Sequence, residues 1–317
     1  MPTAHLISCI GVDSDLPLLP HFLRHYLALG IPRERMHLIL NAAADSPAMT
    51  RAQEMLTGFG IEPAVLWIAP YTSDAMWAER RKLQARTVAP GDWLISADVD
   101  EFHEYPESLE RFLGYCERRG VDCVQGVFID RLAVDGRLRS VTEAEPLWSQ
   151  FPLEADVICR IGQTGEHHDW YGTVKLMALR GHLLPSRGGH HPQPHADGIS
   201  YLFGRPLAAF PGIAMPAFRF SVPLRVHHFH WTGALPDSLR RRLATPGVSA
   251  AGREYGAKLL DHFEQNAGIA LSDIAIRGDS WSVDGLPWRA GVNTLRLASR
   301  LHRMFRRGRG LLRTRRP

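Results

Sequence analysis

Three carboxylates follow a short apolar segment in the first third of the chain. The stretch WLISADVDEFHEY contains Asp98, Asp100 and Glu101 directly after apolar residues. Carboxylates this close raise one another's pKa unless a cation lies among them, and a hard divalent ion with oxygen ligands relieves the repulsion. The pattern therefore predicts a Mn²⁺ or Mg²⁺ site that could hold a diphosphate and neutralise charge on a leaving group. The alternative is a solvated acidic turn.

Histidines form a second group of residues that could do chemistry. The chain has 16 histidines, and three of them lie in the strand-like run LRVHHFHWTG. Strand alternation predicts His228 and His230 on one face and His227 on the other. No H-E-x-x-H spacing occurs, so zinc hydrolysis is disfavoured. For any one histidine, a hydrogen bond to backbone at the sheet end is the alternative role.

Basic residues precede the acidic stretch. The segment WAERRKLQAR has a helical pattern, and helical spacing prevents its cations from sharing one face. We expect Arg81 to point toward a bound diphosphate. The alternative is a solvated basic face.

The segments that must position these residues alternate between strand and helix patterns. Apolar runs predict four strands, and amphipathic spacing predicts three helices between them. The strands are expected at residues 5–12, 36–40, 64–68 and 93–97, and the helices at 17–29, 47–59 and 73–88. This order indicates an α/β fold with a doubly wound, mostly parallel sheet, in which ligands bind beyond the carboxyl ends of the strands.

The second half of the chain has a looser pattern. A helix is expected at residues 107–119 and strands at 122–129, 174–179 and 224–229, among many loops. We predict one domain over residues 1–285 and a basic amphipathic tail over residues 286–317. All the site residues that we single out lie at or before His230.

Three stretches together resemble glycosyltransferase family 2 and the neighbouring family 92 group, which have the GT-A fold. They are FLRHYLALGI (22–31), LILNAAADSP (38–47) and WLISADVDEF (93–102). The resemblance covers residues 5–105 well, and its most specific part is D-x-D-E-F in register. In the family's turn after the second strand, Leu40 here replaces an Asp and Ala43 replaces a Ser.

The resemblance implies roles for several residues. Asp98 would face the ribose and the metal, and Asp100 would be the firmest metal ligand. The nucleotide side would include Asn41 and Asp45, which match the family's turn, and Asp13, for which a helix-capping role is the alternative. His228 with Phe229 matches a late His-Phe pair near the sugar site. His228 is therefore predicted as a third metal ligand, and His191 is the second choice.

An inverting transferase also needs a carboxylate that accepts the proton of the acceptor hydroxyl. Asp130 closes a predicted strand at the sheet edge. Asp169 lies beside Trp170 and Tyr171, and aromatic rings beside a carboxylate suit a sugar. Asp135 and Glu166 are further candidates, and the preference is for Asp169. The family's Glu-Asp signature is not clearly present.

The fold and the motifs favour a metal-dependent glycosyltransferase with a nucleotide-sugar donor, a UDP-sugar by preference, and a glycan or lipid-linked acceptor. A nucleotidyltransferase would share the sheet and the acidic site, but it usually has a glycine-rich phosphate loop after the first strand, where only Gly11 stands. A non-catalytic carbohydrate-binding protein is the third possibility, and the intact Asp98 and Asp100 disfavour it.

Composition limits the location and the partners. The 317 residues carry a formal charge of +4, and the segment after residue 295 is rich in arginine. Such a tail suits peripheral contact with an anionic membrane, and a solvated tail is the alternative. Nothing in the sequence predicts that the protein recognises nucleic-acid bases. Four cysteines without C-x-x-C spacing and the absence of a signal-like start predict a cytoplasmic protein, with the inner membrane face as a further site.

Overall fold

The structure is a computed structural model that describes residues 1–44, 46–162, 170–193, 198–278 and 287–313, with the side chains of residues 170, 171 and 302–313 left out. Its strands are β1 (Ala4–Gly11), β2 (Met36–Ala42), β3 (Val65–Ile68), β4 (Trp93–Ser96), β5 (Glu101–Glu104), β6 (Cys123–Leu132), β7 (Leu153–Ala155), β8 (Val174–Arg180), β9 (Leu184–Pro185), β10 (Pro192–Gln193) and β11 (Arg225–His228).

The α-helices lie mainly in the first half and near the C-terminus. They are α1 (Val12–Asp15), α2 (Leu19–Ala28), α3 (Pro47–Gly58), α4 (Ser73–Thr87), α5 (Leu109–Arg118), α6 (Leu147–Gln150), α7 (Val157–Arg160), α8 (Pro216–Ser221), α9 (Leu235–Ala244), α10 (Ala250–Asn266) and α11 (Trp288–Arg313). Short 3₁₀ turns join several of these elements.

One mixed sheet organises the domain. Its strand order is β3-β2-β1-β4-β8-β6-β11-β5, and β7 pairs with β6. The β1–β2, β2–β3, β1–β4 and β6–β11 pairs are parallel, whereas β8 is antiparallel to both neighbours and β5 is antiparallel to β11. Strands β1 to β4, β6 and β11 therefore point in one direction, and their carboxyl ends meet at one edge. The predicted α/β fold class with a mostly parallel sheet is confirmed.

Helices cover both faces of the sheet because alternate residues of each strand point to opposite sides. Leu6 and Ile10 of β1 pack in one apolar cluster with α2 and α3. Ile7 and Cys9 pack in another with α4, through residues such as Trp77. This two-sided burial explains why β1 is a nearly continuous apolar run.

Two features depart from the sequence expectation. The acidic stretch does not end in a turn, because Glu101–Glu104 forms β5 and pairs with β11 from His228 to Arg225. The region after His230, expected to be rich in loops, contains the helices α9 and α10, which pack on each other and build a separate apolar cluster around Trp231, Leu239 and Leu259.

The first part of α11 packs against the domain. Trp288 contacts Tyr115 with ring centroids 4.8 Å apart, Val292 is fully buried, and Ser299 donates a hydrogen bond to the Phe203 carbonyl. Leu297 is exposed. The segment predicted as a tail from residue 286 is thus attached to the core over much of residues 288–299. Among the described helices, none couples enough length with enough apolar residues to pass through a lipid bilayer.

We expect the two parts of α11 to differ in their effect on stability. A chain that ends after Pro287 should lose several kcal/mol of unfolding free energy, because each buried apolar side chain such as Val292 contributes about 1.5–3 kcal/mol. A chain that ends after Leu301 should unfold at the same urea concentration as the full chain. Equal destabilisation by both truncations would contradict this division of α11.

Candidate functional site

A cavity of about 690 Å³ opens at the carboxyl ends of the parallel strands. Residues from the ends of β1, β2, β4 and β11 line it, and α9 and α10 add a further wall. Five of the residues to which the resemblance gives a nucleotide-binding or metal-binding role lie in this lining: Asp13, Asn41, Asp98, Asp100 and His228. The topology therefore gathers residues that are more than 200 positions apart in the chain.

Two buried cations compensate the charges of Asp98 and Glu101. The Arg80 Nη2 atom lies 2.6 Å from Asp98 Oδ1, and Lys175 Nζ lies 3.2 Å from Asp98 Oδ2 and 2.6 Å from Glu101 Oε1. Lys175 and Glu101 are each 2% exposed. A second Glu101 oxygen accepts the Asp98 backbone N–H. These contacts form a closed network beneath the cavity.

The network sets the charge states of its members. Burial disfavours ionisation of Asp98, but Lys175 and Arg80 outweigh it and hold the pKa of Asp98 below its ordinary value. Burial also works against the charge of Lys175, yet Asp98 and Glu101 raise its pKa, so it stays protonated. Burial raises the pKa of Glu101 to about 7. Asp98 is therefore an anion whose charge is already compensated by the protein.

Two histidines face the second aspartate of the motif. His230 Nδ1 lies 2.8 Å from Asp100 Oδ2, and His228 Nε2 lies 3.6 Å from the same oxygen. The two imidazole rings are stacked with centroids 4.9 Å apart. His227 points the other way, with its Nε2 atom 2.7 Å from Glu104. The expected division of the three histidines between two faces is thus found, with His230 just beyond the end of β11.

Asp130 holds His228 in place. Its Oδ1 atom lies 3.0 Å from His228 Nδ1 and accepts a 2.8 Å hydrogen bond from Trp231 Nε1, while Oδ2 accepts from the Ile158 backbone N–H. With Nδ1 engaged, His228 directs Nε2 toward Asp100. This is the outer carboxylate arrangement that fixes a metal-binding histidine.

The donor set fits a divalent cation. Oxygen from Asp100 and nitrogens from His228 and His230 lie within 4.8 Å of one another. Burial is the main influence on His230 and lowers its pKa, so it is neutral at pH 7 and has a ring nitrogen lone pair to offer. His230 Nε2 is buried and has no hydrogen-bond partner in the part of the chain that the structure describes. Mixed carboxylate and imidazole ligands suit Mn²⁺.

A proton competes with a metal ion for the ring nitrogen of His228. Burial would lower the pKa of His228, but Asp100 and Asp130 raise it to about 10. Burial likewise opposes the charge of Asp100, whose pKa the two histidines hold well below its ordinary value. A metal ion bound to His228 would therefore release a proton.

The opposite end of the cavity lies at the first two strands. Asp13 is exposed and accepts a hydrogen bond from Ser46 Oγ, while the Asn41 amide donates to the Trp67 and Ala69 carbonyls. Asn41 therefore ties β2 to the chain after β3 and shapes this end. Asp45 lies outside the described residues.

Other predicted positions do not reach the cavity. Arg81 donates to the Pro185 carbonyl, and its neighbour Arg80 takes the place beside Asp98 because it lies on the inward face of α4. Asp130 is fully buried by its three donors and is not part of the cavity lining, so it has no room for an acceptor hydroxyl. The Nδ1 atom of His191 lies by the Pro192 carbonyl, away from the cavity. Asp169 lies outside the described residues.

Sequence reasoning missed several lining residues. Lys175 lies in an apolar strand, and the pattern of that strand does not show that the lysine side chain is buried. The one available sign is that a lone lysine in a buried strand needs a buried partner. His230 was placed on the right face but was not chosen as a ligand. Arg242 of α9 and Tyr255 of α10 lie beyond the last expected site residue.

Comparisons with known proteins give only weak likenesses. No protein-family model and no curated protein matches the chain. A crystal structure of S. aureus TarS aligns over 82% of this chain at 10% identity with a TM-score of 0.33. This chain spans 43% of that structure. A TarS 1–349 structure in complex with UDP aligns over 86% of this chain and 76% of its own at 10% identity, with a TM-score of 0.31.

A third structure, TarS 1–349 in complex with UDP-GlcNAc, aligns over 83% of this chain and 73% of its own. Its identity is 11% and its TM-score is 0.32. Likenesses of this strength carry no functional inference. The α/β class follows from the strand order, and the chemistry follows from the side chains in the cavity.

Replacement of Lys175 tests the buried network. Lys175→Met should lower the unfolding free energy by about 3–5 kcal/mol, because it leaves Glu101 buried without its cation. Urea denaturation at pH 8 measures the change. Lys82→Met on the exposed face of α4 is the matched control and should have little effect, since Lys82 is 67% exposed. A similar loss in both variants would contradict the network.

Proposed function

We propose that the chain is a metal-dependent glycosyltransferase that moves a sugar from a nucleotide-sugar, in particular a UDP-sugar, to a glycan or lipid-linked acceptor. The observation that carries the proposal is the Asp100, His228 and His230 cluster at the carboxyl ends of parallel strands, beside a cavity of about 690 Å³. The cavity has the size of a small-molecule site. The resemblance of the D-x-D-E-F stretch to family 2 and family 92 supports the same reading.

Asp100, His228 and His230 would hold Mn²⁺ or Mg²⁺. The ion would supply positive charge to the diphosphate of the leaving nucleotide. Asp98 is held by Arg80 and Lys175, so we assign it to the ribose side of the donor rather than to the primary coordination of the ion. Asp130 fixes the ring of His228.

The nucleoside end would lie near Asp13 and Asn41, at the ends of β1 and β2. Asp45, which matches the family's turn, is proposed for the same end. For the base that accepts the acceptor proton we keep Asp169. Gly162 and Gly172, on either side of that segment, both line the cavity.

The turn after β1 disfavours a nucleotidyltransferase. It is the short helix α1, and its first turn carries Asp13 and Asp15. Burial is the largest influence on Asp15 and raises its pKa to about 7. Acidic groups at this turn would repel a triphosphate, whereas a glycine-rich loop would bind it with backbone N–H groups. The metal cluster, in turn, favours an active transferase over a carbohydrate-binding protein.

The metal assignment predicts a clear loss of nucleotide binding. Asp100→Asn should abolish Mn²⁺-dependent UDP binding in calorimetry while the protein keeps its fold, because the carboxylate contributes both charge and a ligand oxygen. His228→Ala should raise the Mn²⁺ concentration needed for half-maximal donor hydrolysis. His227→Ala, on the other strand face, is the control and should leave that concentration unchanged. Unaltered UDP affinity in Asp100→Asn would refute the metal site.

We also propose peripheral contact between α11 and an anionic membrane. Seven arginines and no acidic residue lie between residues 302 and 317. Each basic residue near an anionic leaflet contributes about 1 kcal/mol, and the attraction is screened by salt. This contact would place the site beside a lipid-linked acceptor.

Vesicle sedimentation tests the contact. The full chain should pellet with phosphatidylserine vesicles at low salt and be released as salt rises. A chain that ends after Leu301 should stay in the supernatant, yet retain donor hydrolysis, because the cavity lining ends at Tyr255. Equal pelleting of both chains would rule out the C-terminal arginines as the attachment.

A further inference from the structure

The cavity wall formed by α9 carries two cations that the proposed reaction has not used. Arg241 and Arg242, neighbours on α9, both line the cavity. Neither guanidinium forms a hydrogen bond or ion pair with any part of the chain that the structure describes. Arg240, the next residue along, instead pairs with Asp237 at 2.8 Å on the exposed side of the helix. Two of three consecutive arginines thus line the cavity without a counter-charge among the described residues.

Arg242 lies within electrostatic range of three other lining or site residues. Burial raises the pKa of Tyr71 and Tyr255 and lowers that of His230, and the charge of Arg242 acts to lower the pKa of all three. Tyr71 follows β3, His230 follows β11, and Tyr255 lies on α10. Arg242 is half-buried, and Arg241 is exposed nearer the opening. Both arginines are therefore accessible to a ligand in the cavity.

The other residues of this wall suit an anion. No carboxylate of α9 or α10 is part of the lining, although both helices contain acidic residues elsewhere. Ser238, Ser249 and Tyr255 supply hydroxyl groups. By contrast, the cations on the floor, Arg80 and Lys175, are already neutralised by Asp98 and Glu101. Unpaired guanidinium groups beside hydroxyl donors are the chemistry that binds phosphate.

We infer that Arg241 and Arg242 form a phosphate subsite on the α9 wall, separate from the Asp100, His228 and His230 cluster. The inference builds on the proposed function, since the phosphate would belong to one of the two substrates. It is either the diphosphate of the donor or a phosphate on the acceptor. The guanidinium groups bind and orient this phosphate, and no bond is made or broken at the subsite.

Calorimetry with two probes distinguishes the sources. In the first arm, UDP and uridine are titrated into the protein with Mn²⁺. If the subsite takes the donor diphosphate, Arg242→Ala should weaken UDP binding by about tenfold, the effect of losing one charge-assisted partner, and leave uridine binding unchanged. Arg242→Lys should recover part of the affinity, and Arg240→Ala should match the unaltered protein.

In the second arm, inorganic phosphate is titrated into protein saturated with UDP and Mn²⁺, so that the donor position is filled. If the subsite takes an acceptor phosphate, the phosphate should bind, and Arg241→Ala and Arg242→Ala should each weaken it by about tenfold while UDP affinity is unchanged. Weakened binding in either arm supports the subsite and identifies which substrate carries the phosphate.

Two results would overturn the inference: no effect of Arg241→Ala or Arg242→Ala in either arm, or equal weakening of UDP and uridine, which would show that Arg242 only maintains the shape of the cavity. Failure of the proposed function gives a different result, namely that the unaltered protein does not bind UDP with Mn²⁺. Phosphate titration without nucleotide would then still decide whether the arginines bind phosphate.

Discussion

Burial of carboxylates at the end of β4 is the constraint on which the rest of the site depends. Glu101 is nearly inaccessible, and Asp98 and Asp100 lie beside it, so their charges repel one another in a poorly solvated place. Lys175 and Arg80 compensate these charges on one side, and two histidines compensate them on the other. Without these partners the strand end could not fold with its acids ionised.

Because their partners differ, Asp98 and Asp100 have different roles. Asp98 and Glu101 share cations that the fold supplies, and they form a rigid floor. Asp100 pairs instead with the imidazole groups of His228 and His230, and an imidazole can exchange its proton for a metal ion. The same short motif thus contains one aspartate whose charge the protein's own cations balance and one whose histidine partners can give way to a metal ion.

Position in the sheet explains why these partners come from distant segments. β8 runs against its neighbours β4 and β6, which places Lys175 between them and under Asp98. β11 pairs with both β6 and β5, so His228 lies between Asp130 and Glu101 in register. A shift of one residue in either register would turn these side chains to the opposite face.

The sequence by itself determined the local elements of the first half and the acidic motif, because apolar periodicity and the residues that end helices act over a few positions. It also placed His228 and His230 on one face, since strand alternation is local. Only the tertiary structure decided that Arg80 rather than Arg81 meets Asp98, that Lys175 lies beneath it, that Asp130 is buried, and that α9 brings Arg242 over the cavity. These choices depend on helix rotation, strand register and long-range packing, which contacts between distant residues set and which a linear pattern does not encode.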